Sequence, residues 1–447
     1  MIPTLWAFDY ILGFLFLLLI YFVAFVYRSN KMEKDGDYKY FMYGLSAKIF
    51  GGLGFLFLSL YYWKGGDTFT YYVTADGFTS MLLENPLRAL GMLFSPSSSM
   101  NWYEYKFAYG HHKFLNSPAS FTVVKVTALI NLFCFRSYLT TTMIFSTLSF
   151  LGVWNMYYVF CKIYSHLKKQ LLFAFFFIPS VVLWGSGILK DTITIAAVGW
   201  LVYSFMNIVI LKRKKTLSII LIVLATISIA LLKPYILYIL YPSLFIWVQS
   251  NLKNLISNNL IRNLISPFIA LTLVISSFFL SKEISQNAGK YNVNELEHTL
   301  EGFQNWHTIV SETKDQSGYT LGEMELTPIG ILKKAPEAIE VTFFRPYPWE
   351  VNNASTLLGA LEGMVLLLFS VWLLLRYRIK LFKLIYKNKD ILFLMIFALI
   401  FGVVVGISSY NFGALSRYKM PAQMFYVIAL ILISDKTIAK DRLRHAY

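Results

Sequence analysis

The run LGFLFLLLIYFVAFV at residues 12–26 and the run LLGALEGMVLLLFSVWLLL at residues 357–375 decide the class of this sequence. Each approaches the ~20 residues that an α-helix needs to span roughly 30 Å of hydrocarbon. A core helix of that length in a soluble protein would show a polar stripe. Short segments of strand length that alternate apolar and polar residues between turns are absent, so we expect the spans to satisfy their backbone groups as helices. The expected fold class is all-α, a polytopic bundle of transmembrane helices.

The composition agrees with a membrane protein. Hydrophobic residues make up 57% of the chain and charged residues 14%, against about 25% charged in a soluble domain. The net charge of +16 comes from basic residues between the apolar runs and at the C-terminus, a positive-inside pattern that does not indicate nucleic-acid binding. Cys134 and Cys161 have no disulfide or metal spacing and are expected to be core residues. The first apolar run lacks a basic segment and a cleavage site, so we expect it to be retained.

Basic loops set the expected topology, with the N-terminus outside and the C-terminus cytoplasmic. The strongest marker is the loop from Arg376 to Lys389, which holds six basic residues. The apolar stretch 118–135 is expected to be interfacial or re-entrant, because a crossing there would place Lys168 and Lys169 outside. The about eleven expected spans are 4–27, 41–63, 138–162, 171–187, 192–211, 217–232, 235–249, 264–280, 356–375, 391–407 and 422–434.

Two long loops then lie outside, at residues 64–117 and 281–355. The second holds eleven acidic and six basic residues, the reverse of the cytoplasmic loops, which supports its placement. No repeat of 20 to 50 residues occurs. The sequence therefore predicts one transmembrane domain over residues 1–447, with outer loops that carry short helices.

The segment GGDTFTYY (65–72) follows the second expected span, so Asp67 is predicted to lie at the outer boundary of the membrane. A carboxylate there could deprotonate an acceptor hydroxyl or hold a metal ion. The alternative is an interfacial loop in which Asp67 caps a helix that begins at Thr68. Tyr71 and Tyr72 are candidate platforms for a sugar ring.

Lys190 and Asp191 interrupt an otherwise apolar or small stretch between residues 171 and 211. Charges at such a depth cost about 2.5 to 3.5 kcal/mol each on insertion scales and usually face a cavity or a partner. The preceding Gly-Ser-Gly at 185–187 indicates an opened helix whose backbone donors could approach an anion. The alternative is a pair that neutralises itself in a tight outer hairpin.

The segment VTFFRPYPWE (341–350) lies just before a span. The guanidinium fork of Arg345 suits a phosphate, and the faces of Tyr347 and Trp349 suit a sugar or a prenyl chain. Glu350 is a further candidate catalytic carboxylate. The alternative for this segment is an interfacial anchor.

Further cations occur on the expected outer side. Lys233 either extends to the lipid headgroups or faces a phosphate. The segment YNFGALSRYKMP (410–421) places Arg417 and Lys419 where positive-inside statistics disfavour cations, which suggests an anionic ligand. Glu362, two turns into a span, has no local cation and needs a partner elsewhere. The sequence thus predicts a cationic ring of Lys190, Lys233, Arg345, Arg417 and Lys419 around Asp67, Asp191, Glu350 and Glu362.

The features occur in the order GGDTFTYY, LNSPASFTVVKVTALINLF, Arg136, PSVVLWGSGILKD, RPYPWE and NFGALSRYKMP. This order resembles the lipid-dependent GT-C glycosyltransferases and the polysaccharide polymerases of bacterial envelopes. Their first outer loop carries an acidic catalytic residue, which the resemblance places at Asp67. The last two segments resemble the outer arginine loops of Wzy-like polymerases and O-antigen ligases, whose arginines engage the diphosphate of the donor.

The expected function is that of a glycosyltransferase or polysaccharide polymerase on the outer face of the bacterial cytoplasmic membrane. It would use a polyprenyl-(di)phosphate-linked sugar or oligosaccharide and would contact membrane lipid, with no nucleic-acid partner. Asp67 would act as base while Arg345, Arg417 and Lys190 neutralise the leaving phosphate. One or two carboxylates would suffice for a weakly held Mg²⁺ or Mn²⁺, but no dedicated metal cage is visible, and no cofactor is indicated with certainty.

The alternative function is a flippase or transporter of lipid-linked saccharides, in which the charges line a path. Transporters are often built from repeats with charges near the midplane of the membrane. This sequence shows no repeat, and its charges gather at one face, which favours the enzyme. A membrane acyltransferase is the third hypothesis, weakened because no intramembrane histidine occurs at a plausible catalytic depth.

Overall fold

The structure is a computed structural model. It describes residues 5–95, 114, 117–213, 215–251, 318–322, 324 and 327–435. The predicted span at 264–280 and the basic C-terminal tail after residue 435 lie outside the described residues.

The described residues fold into helices, and no strand forms among them beyond an isolated antiparallel bridge between Gly318 and Asn411. The α-helices are α1 (Ala7–Met32), α2 (Phe41–Phe57), α3 (Asp67–Glu84), α4 (Pro86–Phe94), α5 (Pro118–Phe133), α6 (Tyr138–Ile163), α7 (Lys168–Phe176), α8 (Pro179–Trp184), α9 (Lys190–Met206), α10 (Lys215–Leu232), α11 (Tyr235–Asn251), α12 (Pro328–Phe344), α13 (Ala354–Tyr377), α14 (Lys380–Lys387), α15 (Lys389–Ser409), α16 (Phe412–Tyr418) and α17 (Met420–Ser434).

Seven helical segments of the described chain are long and apolar enough to cross a membrane. This confirms an all-α architecture and supports a multi-pass membrane protein. Two further apolar helices, α5 and α17, are shorter. The seven segments are Ala7–Met32, Gly36–Tyr62, Tyr138–Ile163, Lys190–Leu211, Lys215–Leu232, Ala354–Tyr377 and Lys389–Ser409.

The segment expected to form one span at 171–187 is divided into two short helices. Helix α7 ends at Phe176, and α8 runs from Pro179 to Trp184. Proline has no backbone N–H to continue a helix, and its ring disfavours a helical conformation in the preceding residue. The expectation of a single helix here is therefore wrong.

Glycines set the close helix crossings that position α9 and α12. A Cβ atom on Gly199 of α9 would lie 2.4 Å from the carbonyl oxygen of Gly152 in α6. Helix α12 packs on α15, where Thr342 Oγ1 donates to the carbonyl of Gly402 at 2.7 Å. The predicted outer loop 281–355 thus contains a helix that packs into the bundle.

The turns between the helices gather at two ends of the bundle. The end of α2, the starts of α3 and α9, the α10–α11 junction and α16 meet at one end, which we call the Asp191 end because Asp67, Lys233 and Arg417 surround that residue. The start of α2 and the end of α6 lie at the opposite end, which we call the Asp37 end after its buried carboxylate.

Candidate functional site

The break between α8 and α9 is held by side chains from neighbouring helices. Lys48 of α2, fully buried, donates its Nζ to the carbonyl of Gly185 at 3.0 Å. Ser149 Oγ of α6 donates to the same carbonyl at 2.6 Å, and Ser146 Oγ donates to the carbonyl of Ser186 at 2.8 Å. Carbonyls freed at a helix end must find such donors when buried. The break is therefore a fixed feature that sets where α9 begins.

Asp191, in the first turn of α9, is shared by two bases. Its carboxylate accepts from Lys233 at the α10–α11 junction and from Arg417 Nε on α16. Arg417 also donates its Nη1 to Asp67 Oδ2 at 2.6 Å. The four side chains form what we call the Asp191 network, a chain of charges from the interior towards the surface.

Burial falls steadily along this network. The side chain of Asp191 is 2% exposed, that of Lys233 5%, that of Arg417 14% and that of Asp67 47%. Desolvated carboxylates need the full set of donors that this one has. Asp67 is thus the member most open to an incoming molecule, and Asp191 holds the two cations in place.

Arg417 is the member of the network that suits an oxyanion ligand. Arg417 uses its fork on two carboxylates, and such forks bind phosphate with the same geometry. A phosphate that replaced Asp67 on Arg417 would keep the guanidinium paired and would release the Asp67 carboxylate. Lys190, at the start of α9, adds a further buried cation next to Asp191.

A second ion pair lies in the segment between α12 and α13. Arg345 Nε donates to Glu350 Oε1 at 3.0 Å, and the amide N–H of Tyr347 donates to Glu350 Oε2 at 2.7 Å. Desolvation by itself raises the pKa of Glu350, but the hydrogen bonds from Arg345 and Tyr347 outweigh it, so this pKa lies below its ordinary value. The guanidinium carbon of Arg345 also lies 5.6 Å from the ring centroid of Phe412, in the first turn of α16.

An open pocket of about 320 Å³ lies at the same end of the bundle. Two of its walls are the rings of Trp63 and Trp184, stacked with their centroids 5.7 Å apart. Thr356 of α13 and Asn411 line the other side. Aromatic faces beside polar groups are suited to a sugar ring. We call this pocket the mouth; its Trp63 precedes Asp67 by four residues.

The structure brings the predicted site residues together in two separate groups. Asp67, Asp191, Lys233 and Arg417 form the Asp191 network. The alternative of a Lys233 that extends to the lipid headgroups is wrong, because this side chain is buried. The capping alternative for Asp67 is also wrong, because α3 begins at Asp67 itself and Gly66, at φ 111°, is the N-cap. The predicted set Arg345, Tyr347, Trp349 and Glu350 forms its own cluster, with the rings of Tyr347 and Trp349 stacked 4.9 Å apart.

Tyr71, Tyr72 and Lys419, three further residues of the predicted binding set, are buried. Tyr71 and Tyr72 are 1% and 8% exposed. Tyr71 stacks on Phe114 with the centroids 4.5 Å apart, and the hydroxyl of Tyr72 donates to the carbonyl of Arg136. The prediction that these two tyrosines form platforms for a sugar ring is therefore wrong. Lys419 is fully buried and is not part of an outer ring of cations.

Glu362, a carboxylate within a predicted span, has hydrogen-bond partners on other helices, as the sequence predicted. Its carboxylate accepts from the amide and the hydroxyl of Ser180 at 2.9 and 2.8 Å, and from Gln423 of α17. The Nζ of Lys419 has no hydrogen-bond partner among the described residues. Its ammonium group interacts electrostatically with the Glu362 carboxylate. This polar cluster, behind α8, is separate from the Asp191 network.

Sequence reasoning missed Lys48 and the aromatic wall of the mouth. Lys48 is the one charged residue between residues 41 and 63, and such isolation in an apolar run is a signal that could have marked it. Trp63 and Trp184 carry no such signal, because a tryptophan near a helix end is also what a lipid interface favours.

Comparison of the chain with family models, with curated proteins and with solved structures finds no match.

Proposed function

We propose that this chain is a membrane glycosyltransferase or polysaccharide polymerase that uses a polyprenyl-(di)phosphate-linked sugar. The observation that carries the proposal is Arg417, whose guanidinium joins the buried Asp191 to the exposed Asp67 at 2.6 Å from the latter. The contact between a guanidinium suited to phosphate and a carboxylate suited to act as base supports the proposal.

The proposed orientation puts the Asp191 end outside the bacterial cytoplasmic membrane, with the N-terminus outside and the C-terminus cytoplasmic. The loop from Arg376 to Lys389, at the far end of α13 and α15, would then be cytoplasmic, as positive-inside statistics favour. The proposed count of about eleven crossings takes α7 with α8 as one broken crossing and keeps the predicted span at 264–280, which lies outside the described residues.

The proposed reaction begins with the donor phosphate on Arg417, where it displaces Asp67. The freed carboxylate takes the proton of an acceptor hydroxyl, whose oxygen bonds to the anomeric carbon of the sugar. The bond between that carbon and the phosphate oxygen breaks, and Arg417 with Lys233 stabilises the leaving phosphate. Asp191 keeps the two cations in register.

A flippase for lipid-linked saccharides is the second candidate. The observation that favours it is the polar cluster of Glu362, Ser180, Gln423 and Lys419, buried inside the bundle. Buried ionisable groups at such positions often mark a transport path. Movement of a lipid-linked saccharide across a bilayer without any transfer product would select this candidate.

The test is a transfer assay with the purified protein in lipid nanodiscs and a panel of polyprenyl-diphosphate-linked saccharides. Asp67→Asn should lower the transfer rate by about 10² to 10⁴, the usual value of general-base assistance. Asp76→Asn is the matched control, because Asp76 lies on the same helix and pairs with Arg136 at 2.6 Å.

Both variants should keep the thermal stability of the wild type to within a few degrees. Full transfer by Asp67→Asn, or an equal loss in both variants, would remove Asp67 from the mechanism. No transfer by the wild type with any donor of the panel would overturn the proposed reaction.

A further inference from the structure

Helix α14 connects α13 and α15, two helices that are long and apolar enough to cross a membrane. Where both of them cross, the eight residues of α14 lie at the boundary at which the chain leaves and re-enters the bilayer. One side of α14 packs into the bundle, because Leu384 is fully buried and Leu381 and Ile385 pack against the core. The other sides face the surroundings.

A second side of α14 is apolar and exposed. The side chains of Ile379, Phe382 and Tyr386 are 83%, 67% and 76% exposed. Residues three and four apart are neighbours on a helix surface, so these three share one side, which we call the apolar face. Leu374 and Leu375, in the last turn of α13, are exposed as well. Apolar surface is therefore present on both sides of the turn between the two helices.

A third side of α14 carries lysines. Lys380 and Lys383 are exposed and Lys387 is partly exposed. Each of them directly follows a residue of the apolar face, so their side, which we call the lysine face, lies next to it. A helix with neighbouring apolar and basic sides is suited to the level between the lipid headgroups and the acyl chains.

The charge around α14 is strongly positive. The segment from Arg376 to Lys389 holds six basic residues and no acidic one. The three lysines of the lysine face form no ion pair within the part of the chain that the structure describes. Their charge is therefore not neutralised by the described residues.

The carboxylates at the ends of the helices packed against α14 have other partners. Helix α14 packs on α15 and α17. Asp390, in the first turn of α15, accepts from Trp247 and Tyr164. Asp435, at the end of α17, pairs with His166. The partner that neutralises the lysine face must therefore bring its own negative charge.

We propose that α14 binds anionic phospholipid headgroups, with its lysine face at the phosphates and its apolar face among the upper acyl chains. Basic residues at a membrane surface attract anionic lipid. An acidic soluble protein would match the lysine face, but lipid matches both faces at once, and it is the surroundings that α13 and α15 already have. The proposal depends on the membrane placement of these two helices and not on the transfer reaction.

Photo-crosslinking in nanodiscs identifies the lipid beside α14 without an activity assay. The photoreactive residue p-benzoylphenylalanine replaces Phe382 in one protein. In a second protein it replaces Phe14 of α1, which is 60% exposed and lies fourteen positions before Arg28, the first basic residue of the chain. The nanodiscs hold about one part of dioleoylphosphatidylglycerol to four parts of dioleoylphosphatidylcholine, so the two lipids differ in headgroup charge and share their acyl chains. Mass spectrometry of the adducts gives the ratio of the two lipids at each position.

At low salt, the ratio of anionic to zwitterionic lipid at position 382 should exceed that at position 14 by about fivefold or more, the effect of a single lysine near an anionic surface. Lys380→Gln, Lys383→Gln and Lys387→Gln together should bring the two ratios close to each other. Salt at about 1 M, which shortens the Debye length to about 3 Å, should do the same in the protein with all its lysines.

The matched control removes three lysines elsewhere. Lys31→Gln, Lys34→Gln and Lys39→Gln, around the turn between α1 and α2, should leave the enrichment at position 382 unchanged. An equal loss with these changes would show that the lipid responds to the total charge of the protein, which would overturn the assignment to α14.

Equal lipid ratios at positions 382 and 14 at low salt would overturn the proposal. An enrichment that survives either the lysine-face changes or about 1 M salt would also overturn it, because the attraction would then not come from these charges. Lipid adducts at position 14 with none at position 382 would place α14 away from lipid and would point to a protein partner instead.

Discussion

At the Asp37 end, Asp37 pairs with Lys162 and Lys168, whose side chains are each 28% exposed. At the Asp191 end, the carboxylate of Asp191 pairs with two cations that are 5% and 14% exposed. Both ends thus hold one carboxylate between two bases. The cations differ in burial, and a pocket lined by Trp63 and Trp184 lies beside the buried set.

The comparison assigns a structural role to the Asp37 end and a binding role to the Asp191 end. The two cations at the Asp37 end are partly exposed, so water still solvates them and this end is suited to tying helix ends together. Buried charges carry a large desolvation cost that neighbouring partners must offset. The Asp191 end is therefore where a mobile anion could exchange with a carboxylate, since Asp67 is 47% exposed and shares Arg417.

The largest expected effect concerns which side of the membrane each end faces. A reporter fused after Gly318, whose chain bridges to Asn411 at the Asp191 end, should read extracytoplasmic. A reporter fused after Lys387, between α14 and α15, should read cytoplasmic, because basic loops stay inside. Equal signals from paired alkaline phosphatase and green fluorescent protein fusions at both positions would break the proposed orientation.

The next effect is on stability. Arg417→Met leaves Asp191 with one cation in a buried place, so the free energy of unfolding should fall by about 3–5 kcal/mol. Lys162→Met at the Asp37 end should lower it by less, because Lys162 is 28% exposed where Arg417 is 14% exposed. Thermal unfolding in the same detergent compares the two variants. Similar losses at both ends would remove the distinction between them.

The smallest effect is the pH dependence of the Arg345–Glu350 pair. The pKa of Glu350 is lowered in the folded chain, so the ionised pair stabilises the fold above the ordinary glutamate pKa of about 4.3. This contribution is lost as the pH falls from there through the lowered folded pKa.

Glu350→Gln should be less stable than the wild type at pH 7 by up to about 1 kcal/mol and should lose less stability between pH 5 and pH 3. Thermal unfolding across that range measures the difference. Parallel curves for the two proteins would show that the pair adds no pH-dependent stability.

The helical fold could be predicted from the sequence because a segment that crosses lipid must be apolar over most of its length. The apolar runs of α1 and α13 could be recognised locally, since a helix that spans lipid needs about 20 predominantly apolar residues in a row. The break at residues 177–178 was harder to place, because Pro179 can begin a new helix or kink an existing one. The apolar pattern around it is the same in both cases.

The candidate site was predictable as a set of residues and not as an arrangement. Asp191, Lys233 and Arg417 each stood out because a charge next to an apolar run needs a partner. That Asp191 pairs with a residue 226 positions away follows from how α9 and α16 meet, which no local pattern records. The prediction of Tyr71 and Tyr72 as sugar platforms was wrong because aromatic residues near a membrane boundary are equally suited to the core and to the interface.

The most direct test of the account is the affinity of the purified protein for undecaprenyl diphosphate in nanodiscs. Arg417→Lys keeps the charge and loses the two-donor fork, so the account predicts binding weaker by about tenfold or more, or about 1.4 kcal/mol. Arg136→Lys, which alters the Asp76 pair on the outer helices, should bind like the wild type. Equal affinity of the wild type and Arg417→Lys, at equal stability, would contradict a phosphate site at Arg417.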